Sequence, residues 1–285
     1  MSKQNKVLDA VVSQIIERIE ETGVLPWQRP WRASSQPMNM EYKNAYSGLN
    51  RWSCILAGYT SPFWLTFPQI KKFEGKVKKG ERHTKIMKVA LIEKKRENEK
   101  TGEKEVYARW VQPVKYYKMW NLEQVEGIDS PEVIQDGTFK IEACEDVANG
   151  YEGAPSVLVG GTEASYAPEN DVIKMPAKNS FTSPEEFYNT LFHEYAHSTG
   201  HPSRLNRRTL VQNDGSFESE TYGKEELVAE LTASMLCGHC NIVKKVIDNS
   251  TAYISGWLAK MKAEPRMLMA SAGQAEKAFK HILKD

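Results

Sequence analysis

The chain has 285 residues, of which 40% are hydrophobic and 26% are charged, an ordinary balance for a globular protein long enough to form two domains, each with its own core. No run of residues approaches the roughly 18 apolar residues of a membrane-spanning helix, which excludes the helical membrane-protein class. Four cysteines are too sparse for a disulfide scaffold, so we expect a protein of the reducing cytoplasm.

The net charge of +1 hides an uneven distribution of charge along the chain. Residues 1–125 hold 23 Lys and Arg against 13 Asp and Glu, whereas residues 126–285 hold 15 against 24. A basic half joined to an acidic half indicates two tasks, and a polyanion such as nucleic acid is the expected partner of the basic half. The alternative is that the split serves only solubility.

The first 73 residues are predicted to contain helices separated by a long loop. Residues 7–21 repeat apolar residues at helical spacing, which predicts an amphipathic helix here and no signal peptide. Residues 25–50 are rich in Pro, Trp, Asn and Ser and are expected to be mainly loop and turn. Short helices are predicted over residues 51–58 and 66–73.

Residues 77–114 are predicted to form antiparallel strands, because their apolar residues come in short runs. Within this region Glu93–Glu105 is almost wholly charged, so we expect a long hairpin tip or a disordered loop there. Residues 114–120 form a further predicted strand. The predicted division of the chain is a basic domain over 1–125, a connection over 126–140 and a second domain over 141–285.

The second half is predicted to combine a few strands with long helices. One helix is expected to begin at Ser183-Pro184-Glu185-Glu186, where Ser is the N-cap, Pro the first helical residue and Glu the third. Gly200 supplies its stop. The other predicted elements are a helix near 141–149, strands at Ser156–Val159 and Val172–Met175, a helix over about Lys224–Met235 and two more helices towards residue 285.

The strongest functional motif is His193-Glu194-Tyr195-Ala196-His197 on this helix. A spacing of four residues puts His193 and His197 on one face, where both imidazoles can share a metal ion. Glu194 projects close to the same place and can take a proton from water, the general-base role in metallopeptidases. Two surface histidines could have this spacing by chance, but the apolar neighbours indicate a partly buried helix. We predict a Zn²⁺ site, with another divalent metal as the alternative.

A third metal ligand is expected, because catalytic zinc usually has three protein ligands. His201 is the weaker candidate, since it follows Gly200 directly and breaks the spacing H-E-x-x-H-x-x-G-x-x-H. In Glu-type zincins a second helix supplies a Glu ligand and, four residues later, an acidic residue that supports a ligand histidine. Glu226 and Glu230 have this spacing, and we predict them in these roles, with the reverse order or Glu225 left open. A solvated acidic face is disfavoured because much of this helix is apolar.

This site predicts metal-assisted hydrolysis of a peptide bond, with Glu194 shuttling the proton. An exposed strand edge within Ser165–Met175 is expected to hold an extended peptide through main-chain hydrogen bonds. The sequence does not choose the group that stabilises the oxyanion. The candidates are Tyr166, Tyr222, His201 and Arg204.

The motif Cys237-Gly238-His239-Cys240 has the spacing found in thiol oxidoreductases. Redox cysteines of that type lie at a helix N-terminus after a strand, where the helix dipole lowers the thiol pKa. Here the motif follows a predicted helix, so we interpret both cysteines as structural. A second zinc site is disfavoured because Cys54 and Cys144 lie in unrelated segments.

The basic half combines cationic and aromatic side chains, as the binding of single-stranded DNA requires. Most aromatic residues are expected in the core, so the better stacking candidates are those of the loop-rich stretch: Trp27, Trp31, Tyr42 and Tyr46. No helix suited to reading a major groove is evident, so binding without sequence preference is expected. The basic residues predicted to contact DNA are Lys71, Lys72, Lys76, Lys78, Lys79, Arg82 and Lys85.

Sequence blocks along nearly the whole chain resemble ArdC-type antirestriction proteins, a plasmid- or phage-borne family. In the first half the blocks are Trp27–Trp31, Pro37–Asn39, Tyr46–Asn50, Trp64–Gln69 and Gly75–Gly80. In the second half they are Tyr166, Asp171–Pro176, His193–His201, Arg204-Leu205 and Glu225–Glu230. The chain departs from the family pattern at Tyr195 and Ser198, which leaves the shape of the pocket open.

The resemblance implies an α+β protein, with a mixed α/β domain that binds single-stranded DNA followed by a zincin-like metallopeptidase domain. It also implies protection of incoming plasmid DNA from host restriction during conjugation. The protein substrate is unknown, with a restriction component as one candidate, and no membrane partner is expected. An alternative from another class is a DNA-binding shield whose metal site is structural or vestigial. Nuclease chemistry is less favoured, because the metal site lies in the acidic half.

Overall fold

The computed structural model describes residues 3–25, 36–97, 104–131, 141–160, 163–181, 183–211, 220–242 and 251–285. Helices and strands occur in both halves, which confirms the α+β class. Among the described helices, none is both long enough and apolar enough to cross a lipid bilayer. Trp27 and Trp31, two of the predicted stacking residues, lie outside the described part of the chain.

The first half consists of helices packed on a small sheet with a long hairpin. The predicted helix over 7–21 and the predicted short helices are confirmed, with shifted ends. The elements are α1 (Lys3–Thr22), β1 (Met38–Asn39), α2 (Gly48–Ala57), β2 (Phe63–Thr66), α3 (Phe67–Lys72), β3 (Lys76–Val77), β4 (Thr84–Glu97), β5 (Lys104–Asn121) and β6 (Val125–Glu126). The strand orders are β1-β2-β5-β4 and β3-β6, and of these pairs only β1 with β2 is parallel.

The charged segment Glu93–Glu105 was predicted as a hairpin tip or a disordered loop. The antiparallel pairing of β4 with β5 agrees with the hairpin, but its strands reach into this segment over residues 93–97 and 104–105, and residues 98–103 lie outside the described part of the chain. β4 continues to Glu97 and β5 begins at Lys104, in register with each other. Opposite charges can face each other across the two strands, and Glu93 forms an ion pair of 2.9 Å with Arg109. The separate strand predicted over 114–120 is likewise part of one continuous β5.

The second half combines a three-stranded sheet with long helices, of which α5 packs against β8 and β9. Its elements are α4 (Ile141–Gly150), β7 (Ser156–Val159), β8 (Ser165–Ala167), β9 (Val172–Met175), α5 (Pro184–Ser198), α6 (Arg208–Val211), α7 (Glu220–His239), α8 (Thr251–Ala263) and α9 (Pro265–Leu283). The strand order is β7-β9-β8, with β9 parallel to β7 and antiparallel to β8. Within this sheet, β8 is therefore an edge strand.

The two halves share a hydrophobic core, which differs from the expectation that each half closes its own. Ile15 of α1 and Trp52 of α2 belong to the same buried cluster as Leu231 and Met235 of α7. An ion pair also joins the halves, since the Arg51 guanidinium lies 3.3 Å from the Glu276 carboxylate of α9. Because apolar burial is the main favourable term in folding, this shared cluster predicts that the halves depend on each other for stability.

We expect Leu231→Ala to lower the free energy of unfolding by about 2–5 kcal/mol, because it leaves a cavity in the shared core. Six of the seven tryptophans lie at or before Trp120, so tryptophan fluorescence during urea denaturation reports mainly on the first half. The control is Leu91→Ala, at a side chain that is 61% exposed, where a change below about 0.5 kcal/mol is expected. An unchanged fluorescence transition in Leu231→Ala would show that the halves unfold independently.

Candidate metal centre

The helix α5 presents the two histidines of the motif in a fixed orientation. The Ser183 hydroxyl caps its first turn by accepting a hydrogen bond from the Glu186 amide at 3.4 Å. On the opposite side Leu191, Phe192 and Tyr195 are buried at 4% exposure or less. This burial fixes the rotation of α5 about its axis, so that the histidine face points towards α7.

Three donor atoms from two helices converge at this face. The Nε2 atoms of His193 and His197 lie 3.1 Å apart. Glu226 of α7 places its carboxylate oxygens 3.5 Å from His193 Nε2 and 3.3 Å from His197 Nε2. Tetrahedral zinc with bonds of about 2.0–2.2 Å holds its ligand atoms about 3.3–3.5 Å apart, so these three donors fit a single divalent ion. They are the residues predicted from the sequence as ligands, and within the described chain they form the group that could hold a metal.

A second carboxylate, that of Glu225, supports the back of His197. Glu225 is 1% exposed and places one oxygen 3.5 Å from His197 Nδ1. It also accepts hydrogen bonds from Arg207 Nη2 at 2.5 Å and from Thr209 Oγ1 at 2.6 Å. A carboxylate on the outer nitrogen fixes the orientation and tautomer of a ligand histidine.

The charges in this cluster shift one another's protonation. Burial alone would lower the pKa of His197, but the carboxylates of Glu225 and Glu226 outweigh it and raise the pKa to about 10. Burial would raise the pKa of Glu225, but His197 and Arg207 lower it to about 2. The pKa of Glu226 is also lowered, because the two histidines outweigh the effect of burial. Both carboxylates are therefore ionised at neutral pH and attract a cation.

Arg207 was not predicted from the sequence as a functional residue, yet it forms hydrogen bonds that connect the parts of the candidate metal centre. It is 4% exposed and donates hydrogen bonds to Glu225, to the Ala196 carbonyl oxygen and to Thr199 Oγ1. It therefore joins the end of α5 to the carboxylate of α7 through a segment without regular structure. No helical or strand periodicity marks such a residue, and its only signal is the position shortly after the motif.

Glu230, the predicted supporting residue, lies one turn further along α7 and is half-buried. The contact with the outer nitrogen of His197 is made by Glu225, which had been left open as an alternative ligand. The supporting role of Glu230 remains a prediction.

The donor atoms open into a cleft of about 460 Å³ that also contains Glu194. Glu194 is 7% exposed and lines this cleft with Ser165 and Tyr166 of β8. The edge strand predicted within Ser165–Met175 therefore borders the candidate metal centre. The Glu194 carboxylate, the three donor atoms and a strand edge therefore line one cleft.

The predicted oxyanion stabilisers are in different environments. Tyr166 lines the cleft, donates its hydroxyl to Asp171 at 2.7 Å and accepts from Arg204. Arg204 is held by Asp171 and donates to the Ser198 carbonyl oxygen at 2.7 Å, so its guanidinium serves the local structure. His201 contacts Ser203 instead of the cleft. The Tyr222 side chain lies outside the described side chains.

The two cysteines of the Cys237–Cys240 motif are buried at 1% exposure at the C-terminal end of α7. A hydrogen bond with Cys144, together with burial, raises the pKa of the Cys240 thiol. A reactive redox thiol needs the opposite shift. These observations agree with a structural role.

Most of the residues predicted to contact DNA are exposed but are spread over the first half. Tyr42 is 65% exposed, whereas Tyr46 is half-buried and bonded to Asn39. Several predicted cations have intramolecular partners, namely Lys71 with the Phe67 ring, Lys72 with Glu41, Lys78 with the Glu123 carbonyl, Arg82 with Glu21 and Lys85 with the Ala10 carbonyl. Lys76 and Lys79 are exposed beside β3. These positions do not by themselves define one continuous binding surface.

Two family models match the chain in the order of its halves. The model for the N-terminal domain of anti-restriction factor ArdC matches residues 5–120. The model for a zincin-like metallopeptidase matches residues 151–274.

Curated relatives and solved structures with similar sequence cover nearly the whole chain. Two proteins of Escherichia coli called DNA primase TraC are each 29% identical over 96% of this chain, which spans only 20% and 27% of their length. The uncharacterized protein y4eC of Sinorhizobium fredii is 27% identical over 95% of this chain and 89% of its own.

Two similar crystal structures are those of the antirestriction ArdC protein from plasmid R388. The metal-free structure is 30% identical, with a TM-score of 0.71, and the match covers 97% of this chain and 96% of that one. The Mn(II)-bound structure is 28% identical, with a TM-score of 0.70 and 97% coverage of both chains. A divalent metal is thus bound by a protein of the same fold.

We expect Arg207→Met to destabilise the metal-free protein by about 3–5 kcal/mol, because it removes a partner from the buried Glu225 carboxylate. Arg208→Met is the matched control, since Arg208 is the exposed neighbour in sequence. Urea denaturation in the presence of a chelator measures both variants. Equal stability of the two would contradict the central position given to Arg207.

Binding of a divalent metal should release protons even above pH 7. Since His197 has a pKa of about 10 without metal, its imidazole is protonated at pH 8 and must lose that proton to become a ligand. Affinity should therefore rise with pH up to about pH 10, whereas an ordinary histidine site levels off near the usual pKa of about 6.5. Calorimetry in buffers of different ionisation enthalpy counts the protons.

Glu225→Gln is the comparison variant for this measurement. It removes one of the two carboxylates that raise the pKa of His197, so fewer protons should be released at pH 8. Affinity that is independent of pH above 7 in the unsubstituted protein would contradict the prediction.

Proposed function

Since this chain belongs to the ArdC family of antirestriction proteins and carries a zincin-like domain, we propose that it protects incoming plasmid DNA from host restriction during conjugation. In this proposal the first half binds single-stranded DNA without sequence preference and the second half hydrolyses a peptide bond. The substrate is a protein that remains to be named, with a restriction component as one candidate. None of the four cysteines forms a disulfide in the described part of the chain, which fits action in the reducing cytoplasm.

One observation carries the proposed hydrolysis, namely the convergence of His193, His197 and Glu226 in the cleft that contains Glu194. When a divalent metal is bound by these three residues, it supplies Lewis acidity for attack on a carbonyl group. We assign Zn²⁺, because two imidazoles and one carboxylate are a common catalytic zinc set. Another divalent metal is the alternative, because a similar protein has a Mn(II)-bound structure.

Glu194 is the proposed general base and general acid. Its carboxylate would accept a proton from the attacking water and deliver it to the nitrogen of the departing amine. Its low exposure of 7% excludes much of the surrounding water, which strengthens its interaction with charge that develops in the cleft.

The edge strand β8 is the proposed holder of the substrate. Ser165 and Tyr166 line the cleft, and the main chain at the free edge of β8 can pair with an extended peptide. Tyr166 is the better placed of the predicted oxyanion stabilisers, because it lines the same cleft; to act, its hydroxyl would have to turn its proton from Asp171 to the oxyanion. Main-chain pairing recognises an extended conformation more than a particular side chain, so flexible segments of folded proteins are the expected targets.

The proposed binding of DNA is supported by the positive charge of residues 1–125, which contain 23 cationic and 13 anionic residues. That region coincides closely with the match to the N-terminal ArdC domain. Contacts between cationic side chains and DNA phosphates carry no sequence information, which is in keeping with protection of any incoming strand.

The decisive experiment uses cells that receive plasmid DNA and contain either the unsubstituted protein or the Glu194→Ala variant. In both, the N-termini that proteolysis creates on cellular proteins are identified and compared. Glu194→Ala should lower cleavage about 10²–10⁴-fold, because it removes the proton carrier while leaving the three donor residues. Glu169→Ala, an exposed carboxylate after β8, is the matched control and should cleave normally.

Each outcome separates the candidate functions. Cleavage products that persist unchanged in Glu194→Ala would refute the proposed mechanism. If Glu194→Ala keeps full protection of plasmid DNA and full DNA binding, the protein acts as a DNA-binding shield with a structural or vestigial metal site. Lost protection with intact DNA binding supports proteolysis.

A further inference from the structure

The hairpin formed by β4 and β5 extends well beyond the sheet that anchors it. β2 pairs with β5 only at Met119–Asn121. From residue 118 back to residue 104, the strand partner of β5 is β4. The described hairpin is thus a two-stranded ribbon whose faces are both available over most of its length.

The register divides the side chains of this ribbon between two faces. Directly opposed residues of antiparallel strands lie on the same face. Lys88 faces Lys115, and Ile92 faces Trp110. Because β4 alternates without an inserted residue while β5 carries the bulge, these pairs share a face with Tyr117, the partner of Ile86.

This face carries rings and positive charge without carboxylates. We call it the aromatic–lysine face and define it by Lys88, Lys94, Trp110, Lys115 and Tyr117. Trp110 and Tyr117 are 38% and 37% exposed, which is high for large aromatic side chains. Within residues 84–94 and 108–119, no Asp or Glu lies on this face.

Each ring of this face lies under a lysine of the same face. Lys94 Nζ is 5.6 Å from the Trp110 ring centre, and Lys115 Nζ is 4.5 Å from the Tyr117 ring centre. Such an exposed cation–π contact contributes only about 0.5–1 kcal/mol, so a base can replace the lysine on the ring. The displaced ammonium group would then be free to reach a phosphate beside that base.

The opposite face of the ribbon has a different chemical character. At its base Lys85 donates to the Ala10 carbonyl of α1 at 3.2 Å, so α1 covers this part. Further out, Val89, Leu91 and Val111 are exposed and Glu93 pairs with Arg109. Lys118 and Tyr116 also lie on this face near its base, with Lys85 Nζ 5.8 Å from the Tyr116 ring centre. The outer part of the face is apolar apart from the pair of Glu93 with Arg109, so that part suits a polyanion less well than the aromatic–lysine face.

The aromatic–lysine face continues into a cleft of about 700 Å³ at the base of the hairpin. Lys88 and Tyr117 form one wall of this cleft, and Tyr42 and Lys72 contribute to the other. Glu41 also lines it, but its charge is matched by Lys72 at 2.5 Å. Trp110 and Tyr117 are separated by about six strand residues, or about 20 Å, so the track is long enough for several nucleotides.

We infer that a single DNA strand lies along the aromatic–lysine face and enters the cleft bounded by Tyr42, with Trp110 and Tyr117 stacking on bases. This inference rests on the proposed binding of single-stranded DNA and assigns that binding to one surface. Exposed rings suit a single strand, because a duplex keeps the faces of its bases stacked on one another. Gln112 is the one amide on this face, and it already accepts a hydrogen bond from Trp110 Nε1, in keeping with binding without sequence preference.

The test measures binding of a fluorescein-labelled oligo(dT) of about 20 nucleotides to the full chain by anisotropy. Trp110→Ala and Tyr117→Ala should each weaken binding about 5- to 150-fold, the range for loss of one stacked base. Tyr117→Phe keeps the ring and should bind as tightly as the unsubstituted protein. Leu91→Ala, on the opposite face of the same ribbon, is the matched control and should also bind normally.

The lysines give an independent measurement. Lys88→Gln and Lys115→Gln should each reduce the slope of log affinity against log salt by about 0.7, the value for one phosphate contact with a single strand. An unchanged slope in both variants would contradict their contact with phosphate and overturn this track.

Failure of the inference can be told apart from failure of the proposed function. If the unsubstituted protein binds oligo(dT) and the two alanine variants bind equally well, DNA binding stands and this surface is wrong. If the unsubstituted protein does not bind oligo(dT), the proposed single-strand binding itself fails. If the alanine variants lose affinity for a duplex but keep affinity for oligo(dT), the ribbon reads duplex DNA and the inference is overturned.

Discussion

α7 presents its carboxylates to the histidines of α5 while its apolar side chains are buried in cores on its other sides. Leu227 and Leu231 pack into the cluster shared with α1 and α2, and Ala233 and Leu236 pack into the cluster beneath α5. From 227 to 238, every residue except Glu230 is buried. Because α7 cannot rotate about its axis without opening both clusters, apolar packing fixes the position of the Glu226 carboxylate, the candidate metal ligand.

A polar cluster near the N-terminal end of α7, formed by Glu225, Arg207 and His197, orients the side chains of the candidate site in addition to this packing. Burying the Glu225 carboxylate is costly, and the Arg207 guanidinium and the His197 imidazole offset that cost. Buried ion pairs of this kind often contribute little net stability compared with apolar residues of the same volume. In this structure they orient the groups, because the hydrogen bonds of Arg207 to Glu225, Ala196 and Thr199 link the end of α5 to α7.

The sequence predicts well what depends on spacing within one helix. The shared face of the α5 histidines follows from their interval along the chain. Glu226 was predicted from the likeness of the Glu226–Glu230 interval to Glu-type zincins, which left the reverse order and Glu225 open. Glu225 and Arg207 come together only when the chain is folded. The periodicity of the sequence does not indicate such tertiary contacts. The strands of the hairpin extend further into the charged segment 93–105 than its composition indicates, because opposite charges can attract one another across two paired strands. The shared core was missed for a similar reason, as apolar stripes identify buried faces but not their partners.

The position of β4 at the end of its sheet has a consequence for how this protein behaves at high concentration. Near the base of β4 the side chains of Gln14 and Asn50 form hydrogen bonds with the main chain of Lys85 and Met87. Beyond Met87 the outer edge of β4 can pair with the strand edge of another molecule, which is a route to aggregation. Exposed cations at Lys88, Lys94 and Lys95 make such pairing between copies repulsive. A polyanion laid over Lys88 and Lys94 would neutralise part of that repulsion, so the same lysines link the colloidal stability of the free protein to whether nucleic acid is bound.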